Sequence, residues 1–161
     1  MTVRFNLNEK AVTVNAASES LLVDLLRREF GLSGARPGCM RGQCGNCAVL
    51  LDGSLTRACL LPAFRLEGCE IVTIEGFVRS KEFTDIEYGF ERVGMDPCRF
   101  CISSKILIAH SLLLTELEPS DLEIERATSG VWCRCTSYSS FVNGIRHAAK
   151  ARKRRYNERN F

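Results

Sequence analysis

Residues 38–47 read GCMRGQCGNC, and this stretch dominates the interpretation of the whole chain. Three thiols lie on it at C-x4-C-x2-C spacing and a fourth follows beyond a predicted hairpin: Cys39, Cys44, Cys47 and Cys59. The interleaved glycines can adopt positive φ angles or allow close backbone approach, and they leave amide N–H groups free to face sulfur. The loop is therefore predicted to turn its thiols inward around one compact anionic centre, with Gly42 and Gly45 helping to bind it.

The spacing of these four cysteines is typical of a plant-type [2Fe–2S] cluster, which is held by four thiolates. A structural zinc ion also takes four cysteines, but zinc sites more often use two C-x2-C pairs. The four-residue first gap and the interleaved glycines favour iron–sulfur at this loop.

A second set of four cysteines lies in the C-terminal half: Cys98, Cys101, Cys133 and Cys135. The first pair begins a predicted helix, where the helix dipole and free N–H groups favour thiolates. The second pair precedes the last predicted helix. Its two cysteines are two residues apart, so in extended backbone their side chains point to the same side. All four can reach one centre, although spacing alone leaves iron–sulfur and zinc open. Phe100 and Trp132 flank this set and are expected to shield it from water.

The composition is that of a globular protein, with 45% hydrophobic and 25% charged residues in a chain of 161. No stretch is apolar enough to span a bilayer, and the first residues lack a secretory signal pattern. A cytoplasmic location is therefore predicted, where thiols stay reduced and nine cysteines indicate metal binding rather than disulfides. The ninth, Cys69, is expected to be a small buried apolar residue.

The net charge of +3 conceals an asymmetry, because seven of the 22 Lys and Arg residues lie between Arg146 and Arg159. A solvated helix end or a docking segment for an acidic partner is expected there. No nucleic-acid partner is expected, since no recognition motif accompanies the basic residues.

An α+β chain with two domains is predicted. In the first domain, residues 1–76, two hairpins, a helix at 21–30 and a strand at 70–74 predict a small sheet of the β-grasp, plant-type ferredoxin-like kind. A linker at 77–83 is expected to separate it from a helical domain at 84–155, with a basic C-terminal tail at 156–161. Capping boxes at Thr84 with Glu87 and at Ser120 with Glu123 mark two of four helices in a predicted bundle.

These residues together resemble the small [2Fe–2S] iron–sulfur subunit, or N-terminal iron–sulfur region, of the xanthine oxidase and xanthine dehydrogenase family of molybdenum hydroxylases. Both quartets occur in the family's order, C-x4-C-G-x-C with a later Cys and then C-x2-C with C-R-C. Further signatures that look like the family's are Leu50–Gly53, Ala58–Leu60, Thr73–Gly76 and Cys133–Thr136.

The resemblance implies an electron-transfer subunit that holds two [2Fe–2S] clusters on the eight cysteines and performs none of the bond-making itself. It implies a partner subunit with molybdopterin and another with FAD, assembled as a dimer of heterotrimers. Electrons would pass from the molybdopterin partner through the helical-domain cluster, then the ferredoxin-like cluster, and on to flavin. The alternatives are a free-standing ferredoxin-like redox protein and a structural zinc protein.

The chain departs from the family pattern around the first pair of the second quartet. Pro97 stands where a Gln is usual, Arg99 replaces a Gly, and Ile102–Lys105 replaces Thr-Pro-Gly-Met. The ligands are intact but the surface expected to face the pterin is altered. Arg99, assigned here to cofactor binding, either pairs with an anionic phosphate or partner carboxylate or is a surface charge.

Overall fold

The N-terminal hairpin joins strands β1 (Thr2–Leu7) and β2 (Lys10–Asn15), as their alternating sequence predicts. In this computed structural model, which describes residues 1–95 and 98–159, the link at Asn8 and Glu9 has φ angles of 50° and 68°. Two consecutive residues in the left-handed region form the tight turn whose twist matches that of the flanking strands.

A second hairpin and one returning strand complete a five-stranded sheet. Strands β3 (Ala48–Leu51) and β4 (Ser54–Arg57) are joined by the predicted Asp52-Gly53 turn. Strand β5 (Glu70–Val72) lies between the hairpins, parallel to β1 and antiparallel to β3, so the order is β2-β1-β5-β3-β4. Helix α1 (Leu22–Arg28) ends just before Gly31, which has a φ of +66°.

Strand β3 is buried on both faces, and this joins the sheet to the helices. Its alternate side chains enter different cores: Val49 packs with α1 and the inner face of the N-terminal hairpin, while Ala48 and Leu50 pack with the C-terminal helices. The Ala48 amide also donates to the Ser104 hydroxyl at 3.4 Å. The sheet is therefore covered on its second face by the helical half of the chain.

After β5 the described chain is mainly helical, which confirms the predicted mixed α and β structure. The helices are α2 (Ile74–Phe77), α3 (Lys81–Glu91), α4 (Ile102–Thr115), α5 (Asp121–Thr128) and α6 (Tyr138–Arg159). The capping box of Ser120 and Glu123 is confirmed at the start of α5. The prediction that Thr84 opens a helix is wrong, because the Ser80 hydroxyl caps α3 one turn earlier by accepting the Phe83 amide.

The basic residues of the C-terminal region mostly bind acidic residues of this same chain. Arg146 pairs with Asp121, Lys153 pairs with Glu118, and Arg155 binds both Glu82 and Asp85. Helix α6 also continues to Arg159, beyond the start of the predicted tail at 156. Much of the basic charge therefore fixes α6 against α3, α5 and the turn before α5, rather than forming a free basic surface.

One buried cluster of charges lies between α3 and α6. Arg152 is fully buried, and its Nε lies 3.6 Å from Oδ2 of Asp85. Arg155 donates to the same oxygen from Nε at 3.0 Å and from Nη2 at 2.7 Å. No hydrogen-bond partner for the Arg152 guanidinium nitrogens is found within residues 1–95 and 98–159. Asp85 is therefore the carboxylate that the two arginines share, and Glu82 binds Arg155 beside it.

His110 on α4 is neutral at physiological pH. Its ring centroid lies 4.5 Å from that of Phe77 and it is almost fully buried. Burial, with the nearby charge of Arg152, lowers its pKa to about 4. This fits a packed helix-face histidine.

Removing the shared carboxylate should destabilise the helical half strongly. Asp85→Ala removes the carboxylate that lies nearest to the buried Arg152 and breaks its bonds to Arg155, which costs about 3–5 kcal/mol. The matched control Asp121→Ala breaks an exposed pair with Arg146 and should cost less than about 1 kcal/mol. Thermal unfolding followed by circular dichroism measures both; equal destabilisation by the two variants would contradict this assignment.

Candidate metal centres

The loop between α1 and β3 wraps its backbone around the sulfur of Cys39. The amides of Arg41, Gln43 and Cys44 donate to Cys39 Sγ at 3.5, 3.2 and 3.3 Å, and the Cys39 amide donates to Cys44 Sγ at 3.4 Å. The amides of Arg41 and then Cys44 are the main causes that lower the pKa of Cys39 to about 6. Cys39 is therefore largely a thiolate at neutral pH, the form that binds metal.

The other two cysteines of this quartet come together through the second hairpin. Cys47 immediately precedes β3 and Cys59 lies in the 3₁₀ turn after β4, with the Ala58 amide donating to the Cys47 carbonyl at 2.9 Å. Burial raises the pKa of Cys47 to about 11, and the neighbouring thiols of Cys59 and Cys44 act in the same direction. The quartet is thus two adjacent pairs, Cys39 with Cys44 and Cys47 with Cys59.

Glycines shape this loop by allowing close contacts. A Cβ on Gly38 would lie 2.9 Å from Cys44 Sγ, and a Cβ on Gly42 (φ +78°) would lie 2.7 Å from the Leu60 side chain. Gly45 has a φ of +75°, and a Cβ there would lie 2.3 Å from the Gly130 carbonyl oxygen. Among these glycines, Gly38 is the one whose missing side chain leaves room at a quartet sulfur.

The second quartet gathers at the N-terminal ends of α4 and α6. Cys101 immediately precedes α4, and its sulfur lies 3.2 Å from that of Cys133. The Phe100 amide donates to Cys98 Sγ at 3.4 Å, and the neighbouring Cys98 thiol is the main cause that raises the pKa of Cys135. This quartet too consists of two pairs, Cys101 with Cys133 and Cys98 with Cys135.

The thiols of Cys101 and Cys133 differ strongly in acidity. Burial and then the neighbouring Cys133 raise the pKa of Cys101 to about 12. Burial also acts against ionisation of Cys133, but the Thr136 amide, Cys101, the Cys135 amide and Lys105 together lower its pKa to about 6. One member of the pair is therefore a thiolate at neutral pH.

A backbone contact joins the two quartets. The Trp132 amide donates to the Cys44 carbonyl at 3.1 Å, so a residue adjacent to Cys133 is bonded to a member of the first quartet. At the same place Gly45 packs against the backbone of Gly130, with no room for a side chain. The two cysteine sets therefore lie on neighbouring loops, although they are far apart in sequence.

The donors present fit two anionic iron–sulfur groups. All nine cysteines are free thiols, eight of them in the two quartets, and backbone amides point at Cys39 and Cys98. Within the described ranges, no three His, Cys, Asp or Glu side chains are arranged to hold a single metal ion. Cys69 is only half-buried rather than fully buried, and its thiol donates to the Arg65 carbonyl at 3.3 Å.

Comparison with known proteins gives the family. Residues 73–146, which contain the whole second quartet, match the [2Fe-2S] binding domain family. The nicotinate dehydrogenase small FeS subunit of Eubacterium barkeri is 33% identical over 150 residues, covering 93% of this chain and 96% of that protein. This chain is a small iron–sulfur subunit of the xanthine dehydrogenase-like molybdenum hydroxylase family. A probable xanthine dehydrogenase subunit of Bacillus subtilis is similar to this small iron–sulfur subunit at 36% identity, covering 86% of this chain and 80% of that one.

A solved structure resembles this small iron–sulfur subunit along almost its full length. A chain of quinoline 2-oxidoreductase from Pseudomonas putida 86 superposes with a TM-score of 0.87 at 33% identity, and the match covers 96% of each chain. The likeness therefore extends to the sheet and to the helices together.

The departures from the family pattern lie beside the second quartet of this small iron–sulfur subunit. Pro97 falls outside the described residues, and Arg99 is exposed. Phe100 and Trp132 are 47% and 62% exposed, and their shielding of the quartet from water stays a prediction. Sequence reasoning named Lys105 only as part of the departing segment Ile102–Lys105 and gave it no role. It is 2% exposed, and its signal was a Lys on a helix that has no other Lys, Arg, Asp or Glu.

Placing a side chain at position 45 of the small iron–sulfur subunit should separate the two loops. Gly45→Ala combines left-handed strain of about 1–2 kcal/mol with the clash against Gly130. Gly53→Ala is the matched control, because its φ is +78° and its Cβ would meet nothing within 4 Å. Hydrogen exchange of the Trp132 amide should accelerate in Gly45→Ala and not in Gly53→Ala. Unchanged exchange in both variants would show that the loops do not depend on this approach.

Proposed function

We propose that this subunit carries two [2Fe–2S] clusters and transfers electrons from a molybdopterin-containing partner toward an FAD-containing partner. The observation that carries the proposal is the arrangement of eight thiols as two quartets, linked by the hydrogen bond between Trp132 and Cys44. Each cluster, when bound, supplies one-electron redox chemistry, and the chain provides the ligands and the hydrogen bonds that set its potential.

The ligands of the first cluster are Cys39, Cys44, Cys47 and Cys59, and those of the second are Cys98, Cys101, Cys133 and Cys135. The pairing of the sulfurs supports two cysteines per iron, as Cys39 with Cys44 and Cys47 with Cys59 in the first set. Gly42 and Gly45 act on the cofactor indirectly, by letting the loop close against Leu60 and Gly130. The amides directed at Cys39 favour its charged form and raise the potential of the group that it binds.

The chain is divided into a β-grasp, plant-type ferredoxin-like domain at 1–76 and a following four-helix-bundle domain. The linker at 77–83 and the basic end at 156–161, predicted to flank that bundle at 84–155, overlap its first and last helices, because α3 begins at Lys81 and α6 continues to Arg159. The sheet order and the two separate apolar clusters support this division. Because Ala48 and Leu50 enter the helical core, the two domains pack as neighbours rather than as independent units. That packing keeps the quartets at a constant separation.

The partner subunits dock on the exposed apolar residues beside each quartet. Phe100 and Trp132 flank the second quartet and face the molybdopterin-containing subunit, while Met40 and Leu60 lie beside the first quartet and face the FAD-containing subunit. Arg99 is available to pair with a phosphate or a partner carboxylate there, the alternative being a surface charge. The whole assembly is a dimer of heterotrimers without nucleic acid.

A cytoplasmic location accompanies this function. Reduced thiols are needed for both quartets, and the cytoplasm maintains them. None of the helices within residues 1–95 and 98–159 combines the length and the apolar character required to cross a bilayer.

Loss of one first-quartet thiol should remove one of two spectroscopic signals. The purified protein is expected to contain about four irons and four sulfides, and its reduced form to give two [2Fe–2S] paramagnetic resonance signals. Cys44→Ser should abolish the first-quartet signal and flavin reduction by substrate, because it removes a ligand. Cys69→Ser, which changes the cysteine outside both quartets, should keep both signals.

Two outcomes of these measurements would contradict the proposal. Two zinc ions in place of iron and sulfide would make the chain a structural zinc protein. Retention of both signals in Cys44→Ser would overturn the ligand assignment. Co-purification of pterin- and flavin-containing chains separates the proposed subunit from a free-standing ferredoxin-like protein.

A further inference from the structure

Lys105 is a buried cation next to the second quartet. It lies on α4, four residues after Cys101, and its amide donates to the Cys101 carbonyl at 3.1 Å. The side chain is 2% exposed, and its ammonium lies 4.9 Å from the centroid of the Phe141 ring. Lysine is almost never fully buried unless an opposite charge compensates it.

The compensating charge is not a carboxylate of the described chain. No Asp or Glu oxygen of residues 1–95 and 98–159 lies within 4.0 Å of the Lys105 ammonium. The Phe141 ring offers only the weaker attraction of its face. Lys105 instead lies one helical turn after Cys101, and its charge acts to lower the pKa of Cys101 and of Cys133.

The surroundings of Lys105 make this charge effective. Helix α4 is apolar around it, with Leu107, Ile108 and Ala109 at 1% exposure or less. Charges interact far more strongly in such a layer than in water, and salt screens them less. A cation held there stabilises the additional negative charge of a reduced group more than the charge of the oxidised one.

We propose that Lys105 is the fixed counter-charge of the second quartet and raises the reduction potential of the cluster bound there. This inference rests on the proposed function, because it requires iron–sulfur at Cys98, Cys101, Cys133 and Cys135. One electron arrives from the molybdopterin partner, and no proton needs to accompany it because Lys105 already supplies the positive charge. The residue thereby favours electron entry into the subunit at the quartet nearest that partner.

The test is a redox titration of the purified holo-complex with dithionite and mediators, followed by paramagnetic resonance of both signals. The signal that survives in Cys44→Ser identifies the second quartet. Lys105→Met should reduce the equilibrium constant for one-electron reduction of that centre at least tenfold, which is 59 mV for a one-electron couple. The reduction potential of the first centre should change much less in the same variant.

Two further variants separate charge from other effects. Lys105→Gln keeps a hydrogen-bond donor but no charge, so it should shift the potential as Lys105→Met does. Lys150→Met removes the same charge from an exposed position on α6 and should shift neither centre.

Three results would overturn the inference. They are an unchanged potential in Lys105→Met, a wild-type potential in Lys105→Gln, and loss of the second signal in both neutral variants. The last result would assign Lys105 to assembly of the site rather than to its potential. Absence of either iron–sulfur signal in the wild-type protein would instead refute the proposed function itself.

Discussion

The backbone contact between the 38–47 loop and residues 130–132 is the constraint on which the two-centre arrangement depends. It consists of one hydrogen bond, from the Trp132 amide to the Cys44 carbonyl, and one close approach, of Gly45 to Gly130. Both contacts join main-chain atoms of the two loops, and a side chain at position 45 would collide with the backbone of Gly130. Behind this contact, β3 is buried between α1 and the C-terminal helices, which prevents the sheet and helices from moving apart. An electron carrier with two centres needs this constancy, because the separation of the centres governs transfer between them.

Buried charge is used sparingly in the helical half, and each case has a distinct compensation. Asp85 lies against Arg152 and binds Arg155, which fixes α6 on α3 over a separation of about seventy residues. Lys105 lies one turn after Cys101 and against the Phe141 ring, and no carboxylate of residues 1–95 and 98–159 pairs with it. His110, with no acidic partner at hydrogen-bond distance in the described structure, stays neutral through burial. Because salt screens buried charges only weakly, the Asp85 cluster stabilises the packing of α6 on α3, and Lys105 acts on the redox chemistry of the second quartet.

Local signals in the sequence predicted most of the helices, strands and turns, but not every residue at which they begin and end. Asn8-Glu9 and Asp52-Gly53 lie between short alternating runs, and both turns form as expected. The capping box of Ser120 and Glu123 forms because its partners are three residues apart. Thr84 offered the same pattern, yet Ser80 supplied an acceptor one turn earlier and the helix began there. The basic C-terminal region was expected to be solvated or to bind a partner, and acidic residues of the same chain bind much of it instead.

By itself, the sequence determined that the chain has two groups of four cysteines, a small sheet followed by helices, and no pattern for other chemistry. These features can be recognised from residue spacing, because the spacing of ligands on one loop and the alternation of apolar and polar residues in a strand both follow from local backbone geometry. Only the tertiary structure decided which cysteines pair, why position 45 must be glycine, and that Lys105 and Arg152 are buried. Those facts depend on contacts between segments far apart in sequence, such as Gly45 and Gly130, which are 85 residues apart. No periodic pattern in the sequence indicates which of these surfaces meet.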